Sequence, residues 1–169
     1  LLVDRGGLCF VALPSDAVPV GDGQAFDEAL WSHRRGFSPA GTMLLRPGAA
    51  LDPAALPPLD DPARSLAVDA PIQLWDLDAG ERLPFFAELD AYPDQDDADR
   101  ALLIRPLRRM PFDTHIGVAI LDLPLLGGGT WPAPAAFVAQ REGAVGEDVA
   151  VDGHYQALLA SLEALGLER

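Results

Sequence analysis

The middle of the chain is a series of short apolar runs separated by polar turn signals. Four such runs begin near Pro71, Leu83, Ala101 and His115, and each has the length of one strand. The first two flank Asp76-Leu77-Asp78-Ala79-Gly80, in which aspartates can accept from nearby backbone N–H groups and glycine can adopt positive φ. The pattern predicts a β-hairpin followed by two further strands, an arrangement typical of an antiparallel sandwich or meander.

The second run contains a proline and has the two-residue period of a strand. Pro84 has no N–H to donate to a sheet, so we predict an edge or bulge position there. Beyond it, the two-residue period places odd-numbered residues from Phe85 to Leu89 on one face and even-numbered residues from Phe86 to Asp90 on the other.

The flanks of this stretch predict further elements. Residues 8–13 and 42–46 are apolar runs of strand length, and residues 25–32 have the spacing of a short helical turn. Residues 52–64 contain four prolines and are predicted to be an irregular crossing segment with a helical turn near Pro53. Residues 135–140 fit either a strand or a helical turn.

The clearest helical pattern lies at residues 151–165. Its apolar residues recur at helical spacing: Tyr155, Leu158, Leu159, Leu162 and Leu165. Asp152 is a candidate N-cap, and Gly166 stands just past the predicted end. This apolar stripe needs a surface to cover it, either in this domain or in another.

Composition narrows the classes of partner. Nearly half of the 169 residues are apolar, which is enough for a core in one compact domain. The formal charge of −14 makes nucleic acid a poor partner and opposes docking on anionic membranes. No apolar run reaches transmembrane length. The single cysteine, Cys9, excludes an intrachain disulfide and is read as a small buried hydrophobe. Because no methionine begins the chain, we expect a mature or truncated piece of a longer protein.

An acidic cluster is the candidate metal site. Asp94, Asp96, Asp97 and Asp99 lie within one short loop, and calcium prefers several carboxylate oxygens from such a loop. The EF-hand pattern fails, because Ala98 stands at a ligand position and no glycine follows. A solvated turn between strands explains the same residues, and we favour it over a calcium loop.

Candidate catalytic groups are few. Glu88 and Asp90 share one face of a strand and can do acid–base work if buried together, although a solvated sheet face is the favoured interpretation. Ser38 lies in Gly36-Phe37-Ser38-Pro39-Ala40, which approaches the hydrolase elbow but lacks its final glycine. We interpret Ser38 as a turn residue.

Histidine and arginine give two weaker candidates. His33, His115 and His154 are scattered and do not have metal-ligand spacing. The arginine cluster, Arg105, Arg108 and Arg109, can hold a carboxylate or phosphate. At this negative charge, internal salt bridges to the aspartate loop are the simpler interpretation.

Several segments together resemble the start of large bacterial extracellular lipase- or esterase-like proteins. They are Cys9 with Pro14-Ser15-Asp16, Gly36-Phe37-Ser38-Pro39, Asp69-Ala70-Pro71-Ile72, Asp78-Ala79-Gly80-Glu81-Arg82, Ala87-Glu88-Leu89-Asp90 and Leu102-Leu103-Ile104-Arg105-Pro106. The closing segment from His154 to Leu167 looks like the helix that joins an N-terminal immunoglobulin-like domain to an α/β-hydrolase domain in that family. The order of strands and turns also resembles bacterial Ig-like modules of surface proteins. Residues 108–114 depart from the family's pattern.

The resemblance implies a fold, a domain plan and a role. The fold is a mainly β, Ig-like antiparallel β-sandwich at residues 1–146 with short helical turns, followed by a C-terminal amphipathic helix at 147–169 that connects to a further domain. The role is that of a non-catalytic accessory domain in a secreted or cell-surface bacterial protein, positioning a hydrolase-like catalytic domain that it contacts through the C-terminal helix. The alternative is a free-standing surface adhesion or binding module. No catalytic residue of the hydrolase carries over to this chain, and calcium is the one cofactor considered.

Overall fold

A computed structural model describes residues 2–4, 9–11, 20–25, 27, 36–91, 96–143 and 149–167. The chain divides into two compact units, Leu1–Ser38 and Pro39–Arg169. The predicted helical turn at 25–32 lies almost entirely outside the described residues, and Ala25 itself is in a strand.

The described residues of the first unit form two antiparallel strand pairs. β1 (Leu2–Asp4) pairs with β2 (Cys9–Val11), which falls inside the apolar run predicted as the first strand. β3 (Val20–Gly21) pairs with β4 (Gln24–Ala25) around a turn in which Gly23 has a φ of 76°.

One sheet of the second unit has the order β5-β9-β8. Its strands are β5 (Met43–Leu45), β8 (Phe85–Leu89) and β9 (Leu102–Pro106), and all pairings are antiparallel. Along β8 the odd-numbered side chains are buried, whereas Phe86 is half-buried and Glu88 is exposed, as the two-residue period predicts.

The other sheet of this unit has the order β10-β6-β7. Its strands are β6 (Ile72–Asp76), β7 (Glu81–Arg82) and β10 (Ile116–Ile120), again antiparallel. Gly80 in the turn between β6 and β7 has a φ of 68°, which confirms the predicted use of glycine there.

The predicted hairpin forms only in part. Trp75 and Asp76 pair with β7, but β8 joins the other sheet and pairs with β9. Pro84 lies between β7 and β8, where a residue without an N–H cannot continue the ladder, and the chain changes sheets at this point. The edge position predicted for Pro84 is thus the point of transfer between the two sheets.

Buried side chains of both sheets form one hydrophobic cluster. Ile72 and Leu74 come from β6, Phe85 from β8, and Leu102 and Ile104 from β9, all at 2 % exposure or less. Burying a side chain of this size contributes about 1.5–3 kcal/mol. The two sheets of this unit therefore share a core.

Loops close the ends of this core. Leu51 and Leu125 form an isolated antiparallel bridge, and the Trp131 indole donates to the Pro47 carbonyl at 3.1 Å. Short 3₁₀ turns occur at Pro53–Ala55, Pro62–Leu66 and Asp97–Asp99, and the first confirms the turn predicted near Pro53. The Asp52 carboxylate caps that first turn, accepting from the Ala54 N–H at 2.9 Å.

Two helices end the described chain, α1 (Ala135–Arg141) and α2 (Val149–Ala164). The segment left open as strand or helix is thus a helix. The predicted C-terminal helix is present, but it begins before Asp152, so the N-cap assigned to Asp152 is wrong. Gly166, with a φ of 79°, ends α2 as predicted, because the Leu167 N–H donates to the Leu162 carbonyl at 3.1 Å.

The described chain is built mainly from antiparallel strands with two helices, which is the coarser part of the predicted fold class. The domain boundary at residue 146 falls among residues outside the described ranges and stays a prediction.

Candidate functional site

A hydrogen-bonded cluster of the second unit is built around the carboxylate of Asp76, which is only 5 % exposed at the end of β6. Its Oδ1 atom accepts from the Thr114 hydroxyl at 2.7 Å, from the Ala79 N–H at 3.0 Å and from the Asp78 N–H at 3.2 Å. An aspartate that ends a strand before a turn commonly accepts from such backbone donors. Asp76 therefore fixes the turn between β6 and β7 and ties it to the chain just before β10.

Asp78 extends this network to the surface. Its Oδ2 atom accepts from the His115 N–H at 2.9 Å and from the Thr114 hydroxyl at 3.1 Å. The His115 Nδ1 atom lies 3.1 Å from each carboxylate oxygen. The His115 side chain is 81 % exposed, so this hydrogen-bonded contact faces solvent.

Hydrogen bonds keep both carboxyl groups ionised. The Thr114 hydroxyl lowers the pKa of Asp76 below its ordinary value, against the opposing effect of burial, and the Ala79 and Asp78 N–H groups act in the same direction. The His115 backbone N–H and then its ring lower the pKa of Asp78. Each carboxylate is therefore an acceptor near neutral pH.

The carboxylates of Asp76 and Asp78 act in this cluster as hydrogen-bond acceptors held in fixed positions. A carboxylate bonded to imidazole Nδ1 is also how a catalytic histidine is oriented, and such a histidine then acts on a nearby hydroxyl. Here the Thr114 hydroxyl donates to Asp76 instead. The bonds of the cluster therefore join the turn at 76–80 to residues 114 and 115, across the end of the sheet.

The other two buried polar side chains also bond to the backbone. Ser65 is fully buried; its hydroxyl donates to the Pro62 carbonyl at 2.7 Å and accepts from the Phe85 N–H at 3.2 Å. Gln73 donates to the Val68 carbonyl at 3.4 Å and accepts from the Trp75 indole at 3.2 Å. Ser65 therefore attaches the second 3₁₀ turn to β8, and Gln73 attaches the segment after that turn to β6.

Arg82 strengthens the same attachment. Its guanidinium donates to the Ser65 carbonyl at 2.6 Å and to the Ala67 carbonyl at 3.4 Å, and it lies 5.4 Å from the centre of the Trp75 ring. Burial lowers the pKa of Arg82 from its ordinary value.

A shallow cavity lies beside this segment. It has a volume of about 190 Å³ and is lined by Ala55, Pro57, Arg64, Ala67, Asp69, Ala70 and Pro71. Pockets for small ligands are usually larger than about 300 Å³. The cavity is therefore too small to hold a ligand of that class.

Two aspartates of the predicted calcium loop form ion pairs with arginines. Asp94 lies outside the described residues. Asp97 is 3.6 Å from Arg100, and Asp99 is 3.6 Å from Arg46. Asp96 is exposed; its backbone carbonyl accepts from the Asp99 N–H at 2.9 Å, and its side chain does not cap the 3₁₀ turn. In the described part of the chain, no three His, Cys, Asp or Glu side chains are grouped to hold a metal ion.

The arginine cluster bonds elsewhere than predicted. Arg105 bonds to Glu88 at 2.7 Å and to the Thr42 hydroxyl at 3.1 Å, so its acidic partner is on β8 and not in the aspartate loop. Arg109 stacks on Phe112 at 4.1 Å. The Arg105–Glu88 pair follows from strand register, because β8 pairs with β9 and places Glu88 diagonally across from Arg105.

The remaining sequence candidates are not brought together. His33 and the Cys9 side chain lie outside what the structure describes. Ser38 is exposed, and the His154 ring contacts Tyr155 with 6.3 Å between ring centres. Sequence reasoning missed the link between Asp76 and Thr114. Its only signal was a polar Thr-His pair just before an apolar strand.

Comparisons of the chain with protein-family models, curated proteins and solved structures give no match. Of the helices in the described residues, none is both long enough and apolar enough to cross a membrane.

Proposed function

We propose that this chain is a non-catalytic accessory domain of a secreted, hydrolase-like bacterial protein, which packs against the catalytic domain and positions it. The observation that carries the proposal is the use of the buried polar side chains. Ser65, Gln73 and Asp76 each bond to backbone groups that hold turns and segments in place. Groups that would do chemistry in an enzyme here serve to make a rigid scaffold.

The strand order supports an Ig-like sandwich as that scaffold. In the immunoglobulin fold, one sheet contains neighbours B, E and D, and the other contains F and C, with C′ added in the variable type. If β5 to β10 are read in chain order as B, C, C′, D, E and F, the observed orders β5-β9-β8 and β10-β6-β7 become B-E-D and F-C-C′. The agreement covers all six strands found in the described residues of the second unit.

The C-terminal helix is the surface proposed for the catalytic domain. The turn between β6 and β7 lies close to the end of this helix, because a Cβ atom added at Gly80 would lie 3.3 Å from the side chain of Leu165, the residue after α2. Leu158 and Leu162 are only half-buried. Their remaining apolar area is available to a neighbouring domain.

Ester hydrolysis tests the non-catalytic part. The chain should give no turnover of short-chain p-nitrophenyl esters above that of buffer. Turnover that disappears in the Ser38→Ala variant would show that the chain is itself a hydrolase and would overturn the proposal.

A free-standing binding module is the second candidate, and one observation favours it. Leu159 is buried to 5 % exposure, and Tyr155 packs edge-on against Phe137 of α1 with 6.4 Å between ring centres. The Gln156 amide also donates to the Gln140 carbonyl at 2.9 Å. Part of the helix stripe is therefore covered within the chain, as a self-contained module requires.

Dye binding separates the two candidates. If the C-terminal helix normally packs on a catalytic domain, a hydrophobic dye should bind the folded chain when that domain is absent. The double variant Leu158→Ser/Leu162→Ser should then lose most of the dye binding. A folded chain that binds no dye supports the free-standing module. The matched control is Leu44→Ser, which alters a 70 %-exposed leucine on β5.

A further inference from the structure

The outer edge of β10 differs from the other sheet edges of the second unit. β5 has three residues and β7 has two, so neither offers a long row of backbone groups. The edge of β8 is covered, because the Ala87 N–H donates to the Pro57 carbonyl at 2.8 Å and the Phe85 N–H to the Ser65 hydroxyl. β10 has five residues and forms a ladder on one side only.

The register decides which backbone groups face this edge. The Leu77 N–H donates to the His115 carbonyl, and the Leu121 N–H donates to the Pro71 carbonyl. Because antiparallel pairs alternate, Gly117 and Ala119 bond to β6, and the N–H and C=O groups of Ile116, Val118 and Ile120 point away from it. Within the described ranges, no backbone group bonds to these outward groups.

In the described part of the chain, this strand has none of the charges, prolines or bulges that usually protect an edge. Ile116-Gly117-Val118-Ala119-Ile120 contains no charge and no proline, and its pairing with β6 is continuous, without a bulge. Natural proteins protect a long edge with charges, prolines, bulges or a covering segment, because an open edge accepts another strand. β10 has the properties of a strand that receives a partner.

We propose that β10 pairs antiparallel with β10 of a second copy of this chain, around a twofold axis at Val118. The sequence is nearly palindromic, so this register places Ile116 opposite Ile120 and Val118 opposite Val118 of the second copy. A twofold interface must be self-complementary in this way. The proposal rests on strand register and stands apart from the function proposed above.

The local charges at this edge favour the antiparallel direction of pairing. β10 has no charged residue, so pairing buries no charge of a chain with a formal charge of −14. The antiparallel register places Asp122 opposite the uncharged Thr114 of the second copy and far from the other Asp122. A parallel register would place the two Asp122 carboxylates side by side.

The overall charge also makes the proposed dimer formation depend on salt concentration. Two copies repel each other at low ionic strength, and about 1 M salt shortens the screening length to about 3 Å. Dimer formation, measured by sedimentation velocity, should therefore increase with added NaCl. A chain that stays monomeric at millimolar concentration in high salt would overturn the proposal.

Amide hydrogen exchange of the unmodified protein tests the register. The outward amides of Ile116, Val118 and Ile120 should exchange at least tenfold more slowly at high than at low protein concentration. The amides of Gly117 and Ala119 bond within the chain and act as internal controls that should change far less. Outward amides that exchange fast at every concentration would contradict the pairing.

Cysteine cross-linking tests it independently. In the proposed register, residue 115 of one copy lies opposite residue 121 of the other as a non-hydrogen-bonded pair, with Cα atoms about 4.5 Å apart, within the range that a disulfide spans. The two positions of one copy are about 20 Å apart along an extended strand, so they cannot join within a chain.

The cross-linking experiment uses the His115→Cys/Leu121→Cys variant in a Cys9→Ser background under mild oxidation. The double variant should form a covalent dimer, and each single variant should stay largely monomeric, since like positions are far apart. A double variant that cross-links no faster than the single variants would overturn the twofold register.

Discussion

At the scale of single residues, Asp76 shows how little of a buried group's role is visible in the sequence. Asp76 and Asp78 look alike in the turn Asp76-Leu77-Asp78-Ala79-Gly80, yet one is buried and the other is exposed. The buried one accepts three hydrogen bonds, and the exposed one pairs with His115. Their different burial follows from position, because Asp76 is the last residue of a central strand.

Removing the Asp76 carboxylate should destabilise the second unit. In Asp76→Ala, the Asp78 and Ala79 N–H groups lose their acceptor and the Thr114 hydroxyl keeps only its longer bond to Asp78. A buried donor left unpaired costs about 1–3 kcal/mol. Urea unfolding measures the loss. Asp61→Ala is the matched control, because Asp61 is exposed and makes no side-chain cap bond at its 3₁₀ turn. Equal effects in the two variants would contradict the role given to Asp76.

The same carboxylates make stability depend on pH in acid. The folded-state pKa values of Asp76 and Asp78 are both lowered, so their stabilisation is fully present above the unfolded value near 4 and is lost as the pH falls through the lower folded values. The free energy of unfolding should therefore decrease from about pH 5 downward. Asp76→Ala should show a shallower decrease over this range. A variant with an unchanged slope would assign the acid sensitivity to other groups.

At the scale of elements, Gly117 allows β10 to lie close to the turn after β6. A Cβ atom at this position would stand 2.9 Å from Leu77 Cδ2 and 3.2 Å from Leu77 Cγ. Overpacking typically costs about 1–3 kcal/mol, whereas replacing glycine stabilises by about 0.4–1 kcal/mol through the unfolded chain. The clash is the larger effect, so Gly117→Ala should destabilise the protein.

A double-mutant cycle isolates this contact. With Leu77→Ala in the background, Gly117→Ala should become neutral or slightly stabilising, since the clashing side chain is gone. Chemical unfolding of the four proteins gives the coupling energy. A cost for Gly117→Ala that is the same in both backgrounds would place the strain elsewhere.

The acidic loop should behave as a set of ion pairs. Asp97 and Asp99 are already paired with Arg100 and Arg46. We expect the melting temperature to be the same with calcium and with a chelator. A calcium site filled at 100 times its Kd would add about 2.7 kcal/mol of stability, which a thermal melt detects as a rise of several degrees. Such a rise would establish the calcium loop instead.

Elements with a clear local signal could be predicted from the sequence. The apolar runs mark β6, β9 and β10, helical spacing marks α2, and Gly166 marks its end, because these signals depend on neighbours in the chain. The hydrogen-bond and ion-pair partners of individual side chains could not be predicted in the same way. Glu88 finds Arg105, and Thr114 finds Asp76, only through the pairing of strands distant in sequence. The segment at 135–140 stayed open because a short apolar run fits both periods.

At the scale of the whole molecule, the chain changes from one sheet to the other at Pro84. The apolar runs on either side of residues 76–80 look like one hairpin, and a continuous hairpin would place β6 and β8 in the same sheet. The observed pairing gives the two-sheet order on which the proposed Ig-like scaffold and the open edge of β10 both depend.

Hα–Hα nuclear Overhauser effects test this change of sheets most directly, because Hα atoms of non-hydrogen-bonded antiparallel pairs lie close together. The pairing predicts strong cross-peaks between Leu74 and Val118, between Ala87 and Ile104, and between Leu44 and Leu103. Cross-peaks linking β6 directly to β8, in place of these, would show one continuous hairpin and would contradict the account.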